Sequence, residues 1–249
     1  MIKQEKIGIT SFTLHIIAML TMLIDHMYQT LFNDKIWMNG IGRLSFPIFA
    51  FMIVEGYYNT KDVKKYLGRL LIFAFISEIP FDLMISSTLF FPNFQNVIWT
   101  FLISLCAITL IEKLKKLYPD NKIKVFFVSG IIIMIAFSLA MIAMTDYLGY
   151  GVLTVFTFYF FRGKKWWQML GQIIMLILLN VFFLGAFSNP FMELGNFEIP
   201  LQSLALFSLI IIWLYNGKRG YNNKYLKYSF YAFYPTHMLI LSLIMISRY

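Results

Sequence analysis

Apolar residues run in nine long blocks along the chain, each closed by a short polar break. The blocks cover roughly residues 7–31, 41–58, 67–87, 96–112, 123–144, 147–161, 166–187, 199–215 and 229–247. An α-helix needs about 20 residues to cross a bilayer, and most blocks approach that length. The pattern predicts an all-α fold: a polytopic transmembrane helix bundle of about nine spanning helices, in one domain over residues 1–249. The breaks read "NDK", "YNTKDVKKY", "FPNFQN", "EKLKKLYPDNK", "MTDYLG", "RGKK", "SNPFMELGNFE" and "YNGKRGYNNKYLK". The sixth block is short, which suits a tilted or half-buried helix. The first is longer than the apolar core of a signal peptide, and no small-x-small cleavage site follows it.

Composition fits this reading. The chain is 59% hydrophobic and 13% charged, with a mean hydropathy of +0.71, whereas soluble domains carry about 25% charged residues. Its net charge of +9 would suit nucleic acid, but the basic residues alternate by loop. Lys3 and Lys6 precede the first block. Lys61, Lys64, Lys65 and Arg69 follow the second, and Lys113, Lys115, Lys116, Lys122 and Lys124 follow the fourth. Arg162, Lys164 and Lys165 follow the sixth, and Lys218, Arg219, Lys224 and Lys227 follow the eighth. The intervening loops keep only Lys35, Arg43 and Arg248. The positive-inside rule then sets the N-terminus in the cytoplasm and the C-terminus outside. Topology accounts for the surplus, so no nucleic acid is called for. The single cysteine, Cys106, allows no disulfide within the chain.

Four acidic residues fall inside apolar blocks: Asp25, Glu55, Glu78 and Asp82. Such groups are costly in a bilayer and mark function by default. The orientation sets Asp25, His26, Arg43 and Asp82 in the outer half and Glu78 near the middle. His15, Tyr234 and His237 fall in the inner half. His15 and His26 lie eleven residues apart and share one helix face, separated by roughly 16 Å along the axis. Glu78 and Asp82 also share a face, one turn apart, with Pro80 between them. An outer cluster of Asp25, His26, Arg43, Glu78 and Asp82 would offer a base, a carboxylate to orient it and a cation for an anion. Structural readings stand beside this one. Arg43 and Asp82 would brace two helices as an ion pair, His26 would be a solvated helix end, and His15 and His237 would be hydrogen-bonded core residues. Glu55 before Gly56 would be a capped helix end.

The chain has no HExxH, CxxC, GxSxG or GxxxxGK[ST] motif. Three histidines and one cysteine make no closed zinc site, so no metal is expected.

Four stretches carry a resemblance: "IIAMLTMLIDH" at Ile16–His26, "GRLSFPIFAFMIVEGYYNTKDVKKYLGRLLIFAFISEIPFDL" at Gly42–Leu83, "NVIWT" at Asn96–Thr100, and "FYAFYPTHMLIL" at Phe230–Leu241. They resemble the TraX family, named for a conjugation protein that acetylates the pilin N-terminus. That family is similar in turn to the wider transmembrane acyltransferases, including the acyltransferase-3 proteins and the lysosomal heparan N-acetyltransferase. The resemblance implies an enzyme of the bacterial cell membrane that takes acetyl from cytoplasmic acetyl-CoA. It would pass the group to an amine or hydroxyl on an exported peptide, a glycan or a lipid. In acyltransferase-3 proteins a basic residue precedes the first-helix catalytic histidine by eleven positions. His26 matches that histidine, and the earlier position holds His15. Under this reading His26 is the base, Asp25 or a nearby carboxylate (Glu78 or Asp82) orients it, and Arg43 stabilises the oxyanion. Topology and charge nominate Lys64, Lys65 and Arg69 for the CoA phosphates, with His15, Tyr234 and His237 completing the donor site. The alternative is a proton-coupled transporter, since intramembrane Asp, Glu and His chains also relay protons.

Overall fold

The structure, a computed structural model, describes residues 8–187, 191–194, 197–221 and 223–248; Lys3 and Lys6 lie outside the described residues. Its elements are α1 (Ser11–Thr30), α2 (Ile36–Gly42), α3 (Ser45–Asn59), α4 (Val63–Ser86), α5 (Val97–Leu117), α6 (Lys122–Ile142), α7 (Leu148–Phe160) and α8 (Trp166–Ile177). A π-helical stretch (Leu178–Phe183), strands β1 (Phe191–Leu194) and β2 (Phe197–Pro200), a 3-10 stretch (Leu201–Phe207), α9 (Ser208–Trp213) and α10 (Lys224–Ile246) follow. The fold is an all-α polytopic bundle.

Polar breaks start the helices through side-chain caps. Thr10 accepts from the Thr13 N–H, Asp62 from Lys65, Asn96 from Ile98, Asn121 from Lys124 and Asn223 from Leu226. Each satisfies a donor that the helix itself cannot.

Among the described residues, six helices are long and apolar enough to cross a membrane: α1, the α2–α3 pair, α5, α6, α8 with its π stretch, and α10. Three expected spans depart from that standard for separate reasons. The α4 helix carries Lys64, Lys65, Arg69, Glu78 and Asp82, α7 has 13 residues, and Leu201–Trp213 is a short apolar segment that begins as a 3-10 helix. The second block divides at Arg43 and Leu44. The ninth helix begins at Lys224, five residues before its apolar block. The β1–β2 hairpin, antiparallel with Phe191 opposite Pro200, was not expected.

One face gathers the basic loops. The Ser11 N–H donates to the Lys218 carbonyl, Arg219 to the Asn59 carbonyl and Lys164 to the Trp213 carbonyl, while Arg162 pairs with Glu55 at 2.6 Å. On the opposite face, the α4–α5 and α6–α7 links join through Gln95, whose N–H donates to the Met144 carbonyl and whose carbonyl accepts from Asp146. Helix α10 packs along α4 and α1.

Candidate active site

The α1–α10 seam holds all three histidines. Near the basic face, His15 Nδ1 donates to the Ser11 carbonyl at 2.7 Å, and its ring stacks on Phe230 at 4.8 Å. Farther along, His237 Nδ1 lies 2.7 Å from the Phe233 carbonyl, and His237 Nε2 lies 2.7 Å from His26 Nδ1. A carbonyl only accepts, so His237 Nδ1 donates. Neutral His237 then accepts at Nε2, and His26 donates from Nδ1. The lone pair of His26 is left on Nε2, on a half-buried ring.

This contact corrects the expected depth of His237. His26 lies fifteen residues from Ser11 and His237 thirteen from Lys224, which is about 22 and 20 Å at 1.5 Å per residue. The five residues "KYLKY" (Lys224–Tyr228) extend the helix below its apolar block and raise His237 to the level of His26.

Asp25 does not orient the imidazole. Consecutive helical residues diverge by about 100°, so Asp25 faces α2 while His26 faces α10. The Asp25 carboxylate is 7% exposed and receives Arg43 NH2 at 2.6 and 2.7 Å, Asn39 Nδ2 at 3.0 Å and Gln29 Nε2 at 3.0 Å. A side chain at Gly42 would overlap the Asp25 carboxylate, so glycine is what lets α2 approach α1 there. Arg43 is held on its other sides by the Asn39 carbonyl and Gln202 Oε1. Gln202 donates in turn to Asn180 Oδ1 at 2.8 Å, on the π stretch. Such stretches recur at functional sites.

The five-residue cluster divides. Arg43 pairs with Asp25 and not with Asp82. Glu78 accepts from the Asn96 side chain at 2.7 Å and the Trp99 indole at 2.9 Å, fastening the start of α5 to α4. Asp82 Oδ2 accepts from the Phe91 N–H at 2.9 Å. Both carboxylates thus serve the α4–α5 link. Glu55 pairs with Arg162 instead of capping its own helix.

Asp146, in the α6–α7 link, adds a second negative charge to the surroundings of Arg43. Burial pushes its carboxyl up to about 7, against the downward pull of the guanidinium. Its flanks are strained: Met144, Tyr147 and Leu148 have φ of 53°, 64° and 51°, which costs of order 1–3 kcal/mol each and persists only where the surroundings fix it. The Tyr147 ring lies 3.8 Å from that of Phe46.

A cavity of about 430 Å³ opens at the basic face and runs between α1, α3, α4 and α10. Arg219, Asn59 and Thr60 line its mouth, His15 and Arg69 its wall, and Met22 and Tyr234 its head. Met22 is one helical turn below His26, and the Tyr234 ring is 6.5 Å from the His26 ring. Arg69 lies beside the Tyr231 hydroxyl, with its Nε buried and unpartnered. Of the donor-site candidates the cavity gathers His15, Arg69 and Tyr234. Lys64 and Lys65 are exposed on α4 outside it, and His237 is engaged with His26.

The family described as TraX protein matches residues 11–245, from the first residue of α1 to the last turn of α10. The chain belongs to the TraX family. It is also similar to a probable fimbrial assembly protein, FimC of serogroup H1, from Dichelobacter nodosus. The identity is 28% over 251 residues, covering 96% of each chain. No solved structure matches. The histidine pair, the Asp25–Arg43 pair and the cavity all lie within the matched residues.

The roles of five participants are not legible in the sequence. His237 was nominated, but not as the partner of His26. Arg219 was counted only as a topological charge. Gln202 and Asn180 carry no motif, although a glutamine and an asparagine within apolar blocks are themselves a signal. Asp146 sat in what read as an ordinary loop.

Proposed function

We propose that the chain is a bacterial cell-membrane acetyltransferase, with acetyl-CoA as donor and an amine or hydroxyl acceptor at the outer side. The observation that carries this reading is the chain from the Phe233 carbonyl through His237 to His26, one turn above a cavity open to the basic, cytoplasmic face. The cavity volume lies in the range of about 300–1,000 Å³ usual for ligand sites. A mostly apolar wall suits a pantetheine arm, Arg219 at the mouth suits its phosphates, and the buried Arg69 Nε calls for an acceptor such as an amide carbonyl.

His26 Nε2 takes the acceptor's proton as its nitrogen or oxygen attacks the thioester carbon. His237 steadies the imidazolium through Nδ1–H. The carbon–sulfur bond breaks, and the leaving thiolate takes the proton back from Nε2. The Tyr234 hydroxyl lies near the backbone of Val97 at the start of α5, and its O–H is the donor offered to the developing oxyanion. This assigns Tyr234 the role first given to Arg43, four of whose five N–H donors are committed to Asp25, Asn39 and Gln202. The family's link to pilin and the relative's name favour an exported pilin-like peptide as acceptor over a glycan or lipid.

The test uses purified protein in nanodiscs with radiolabelled acetyl-CoA and a peptide with a free amino terminus. Label should move to the peptide, with slow hydrolysis in its absence. Neither transfer nor hydrolysis, together with proton flux coupled to a solute, would replace this reading with the transporter.

A further inference from the structure

A second concavity lies away from the histidine seam, on the lipid-facing side of α5, α6 and the end of α7, at the basic face. It encloses about 620 Å³ and is lined by apolar side chains, among them Ile111, Phe126, Ile133 and Phe160, with Lys115 and Lys122 at its rim. Two details set it apart from ordinary helix surface. Gly130 opens into it, and a Cβ there would meet nothing within 4 Å. Glycine inside a helix costs about 1 kcal/mol relative to alanine, and no tight packing accounts for this one. The second detail is Ser129, which lines the groove at 8% exposure with its Oγ unpartnered. Hydroxyls elsewhere in these helices bond back to the carbonyl four residues earlier, as Thr21, Ser104, Thr109, Thr154, Thr157 and Ser242 do. Among the described residues Ser77 is the other buried hydroxyl without a partner, but it is fully enclosed.

We propose that this groove is a specific site for an anionic phospholipid of the cytoplasmic leaflet. The phosphate would meet Lys122 and Lys115 beside the N-terminus of α6. There the helix dipole also favours a negative charge. Lys115 already donates to Glu112 and Tyr159 and has a third proton to give. Lys122 has no partner among the described residues. Ser129 lies seven residues along α6, about 10 Å deeper into the bilayer than Lys122, in the range of a glycerol ester carbonyl, and would donate its hydroxyl proton there. One acyl chain would lie over Gly130 between Phe126 and Ile133. A neutral solute would leave the lysines unused, and a free phosphate would leave the apolar floor and Ser129 unused. A diacyl phosphate uses all of them.

Purified full-length protein, stripped of lipid, is titrated with phosphatidylglycerol or phosphatidylcholine in detergent, and bound lipid is counted by native mass spectrometry. Phosphatidylglycerol should be retained in preference to phosphatidylcholine. Gly130→Leu, which fills the groove, should abolish retention of both. Lys122→Ala should weaken phosphatidylglycerol alone by about 5-fold, the effect of one lysine near an anionic headgroup. Equal retention of the two lipids by the wild type would overturn the proposal, as would unchanged phosphatidylglycerol retention by a folded Gly130→Leu. If that variant fails to fold, Lys122→Glu decides: loss of the preference supports the site, and a preserved preference overturns it.

Discussion

Two histidines of α1 face α10, one at each end of the seam, and they are held differently. His15 spends Nδ1 on the carbonyl four residues back in its own helix and lays its ring on Phe230. His26 spends Nδ1 on His237, and it is His237 that is anchored to its own helix. The lower arrangement fixes one ring against the cavity wall, where Nε2 can accept a hydrogen bond from a ligand. The upper arrangement fixes a ring through a second ring, so that protonating His26 strengthens a bond that already exists. A lone histidine suits binding. A histidine oriented by another group suits proton transfer.

That contrast can be broken from either end. The largest effect belongs to His26→Ala. Acetyl transfer should fall by about 10²–10⁴-fold, the usual loss for a positioned base, while acetyl-CoA affinity holds, as equilibrium binding would show. Arg43→Ala comes next, through stability. It leaves the Asp25 carboxylate buried without its cation, and breaking such a pair costs about 3–5 kcal/mol. Thermal unfolding in detergent should show the loss, with Asp25→Asn milder than Arg43→Ala because the neutral amide needs no cation. His237→Ala should slow turnover by about 10–100-fold, the range seen when the outer partner of a functional histidine is removed. Arg69→Ala sharpens the lower end. It should weaken acetyl-CoA by about 10-fold, one charge-assisted hydrogen bond, with turnover at saturation unchanged.

The smallest effect is one of pH. The Asp146 carboxyl titrates at about 7 in the fold and near 3.9 in an unfolded chain. Its charged form therefore costs stability. The cost is absent below about pH 4, grows as pH rises and is complete above about 7. Asp146→Asn should melt above the wild type at about pH 8, and the difference should vanish by about pH 4. A melting difference independent of pH would deny Asp146 this role.

Six of the nine expected spans were legible because crossing a bilayer demands long apolar blocks, whereas α4 is too charged, and α7 and Leu201–Trp213 too short, to meet that demand. The pairing of His26 with His237 was not legible. Apolarity alone starts the last helix at 229, whereas Asn223 caps it at Lys224, and the first residues, "KYLKY", are too polar to read as span. The partner of Asp25 was missed for a different reason. Adjacency in sequence suggested His26, but helix geometry turns neighbours apart, and Gly42 admits α2 to the side that Asp25 faces. Glu78 and Asp82 were legible as costly intramembrane acids. Their use in fastening α5 to α4 depends on Asn96, Trp99 and the Phe91 amide, which no spacing rule ties to them. The β1–β2 hairpin, two strands of four residues, is shorter than any pattern that alternation can establish.

The proposed mechanism requires the two imidazoles to act as one unit, and a double-mutant cycle in transfer rate tests that most directly. Turnover is measured at saturating acetyl-CoA for the wild type, His26→Ala, His237→Ala and the double variant, each checked for folding and acetyl-CoA binding. If His237 acts only through His26, the double variant should be no slower than His26→Ala. Losses that multiply, or near-normal turnover by His26→Ala, would contradict the account.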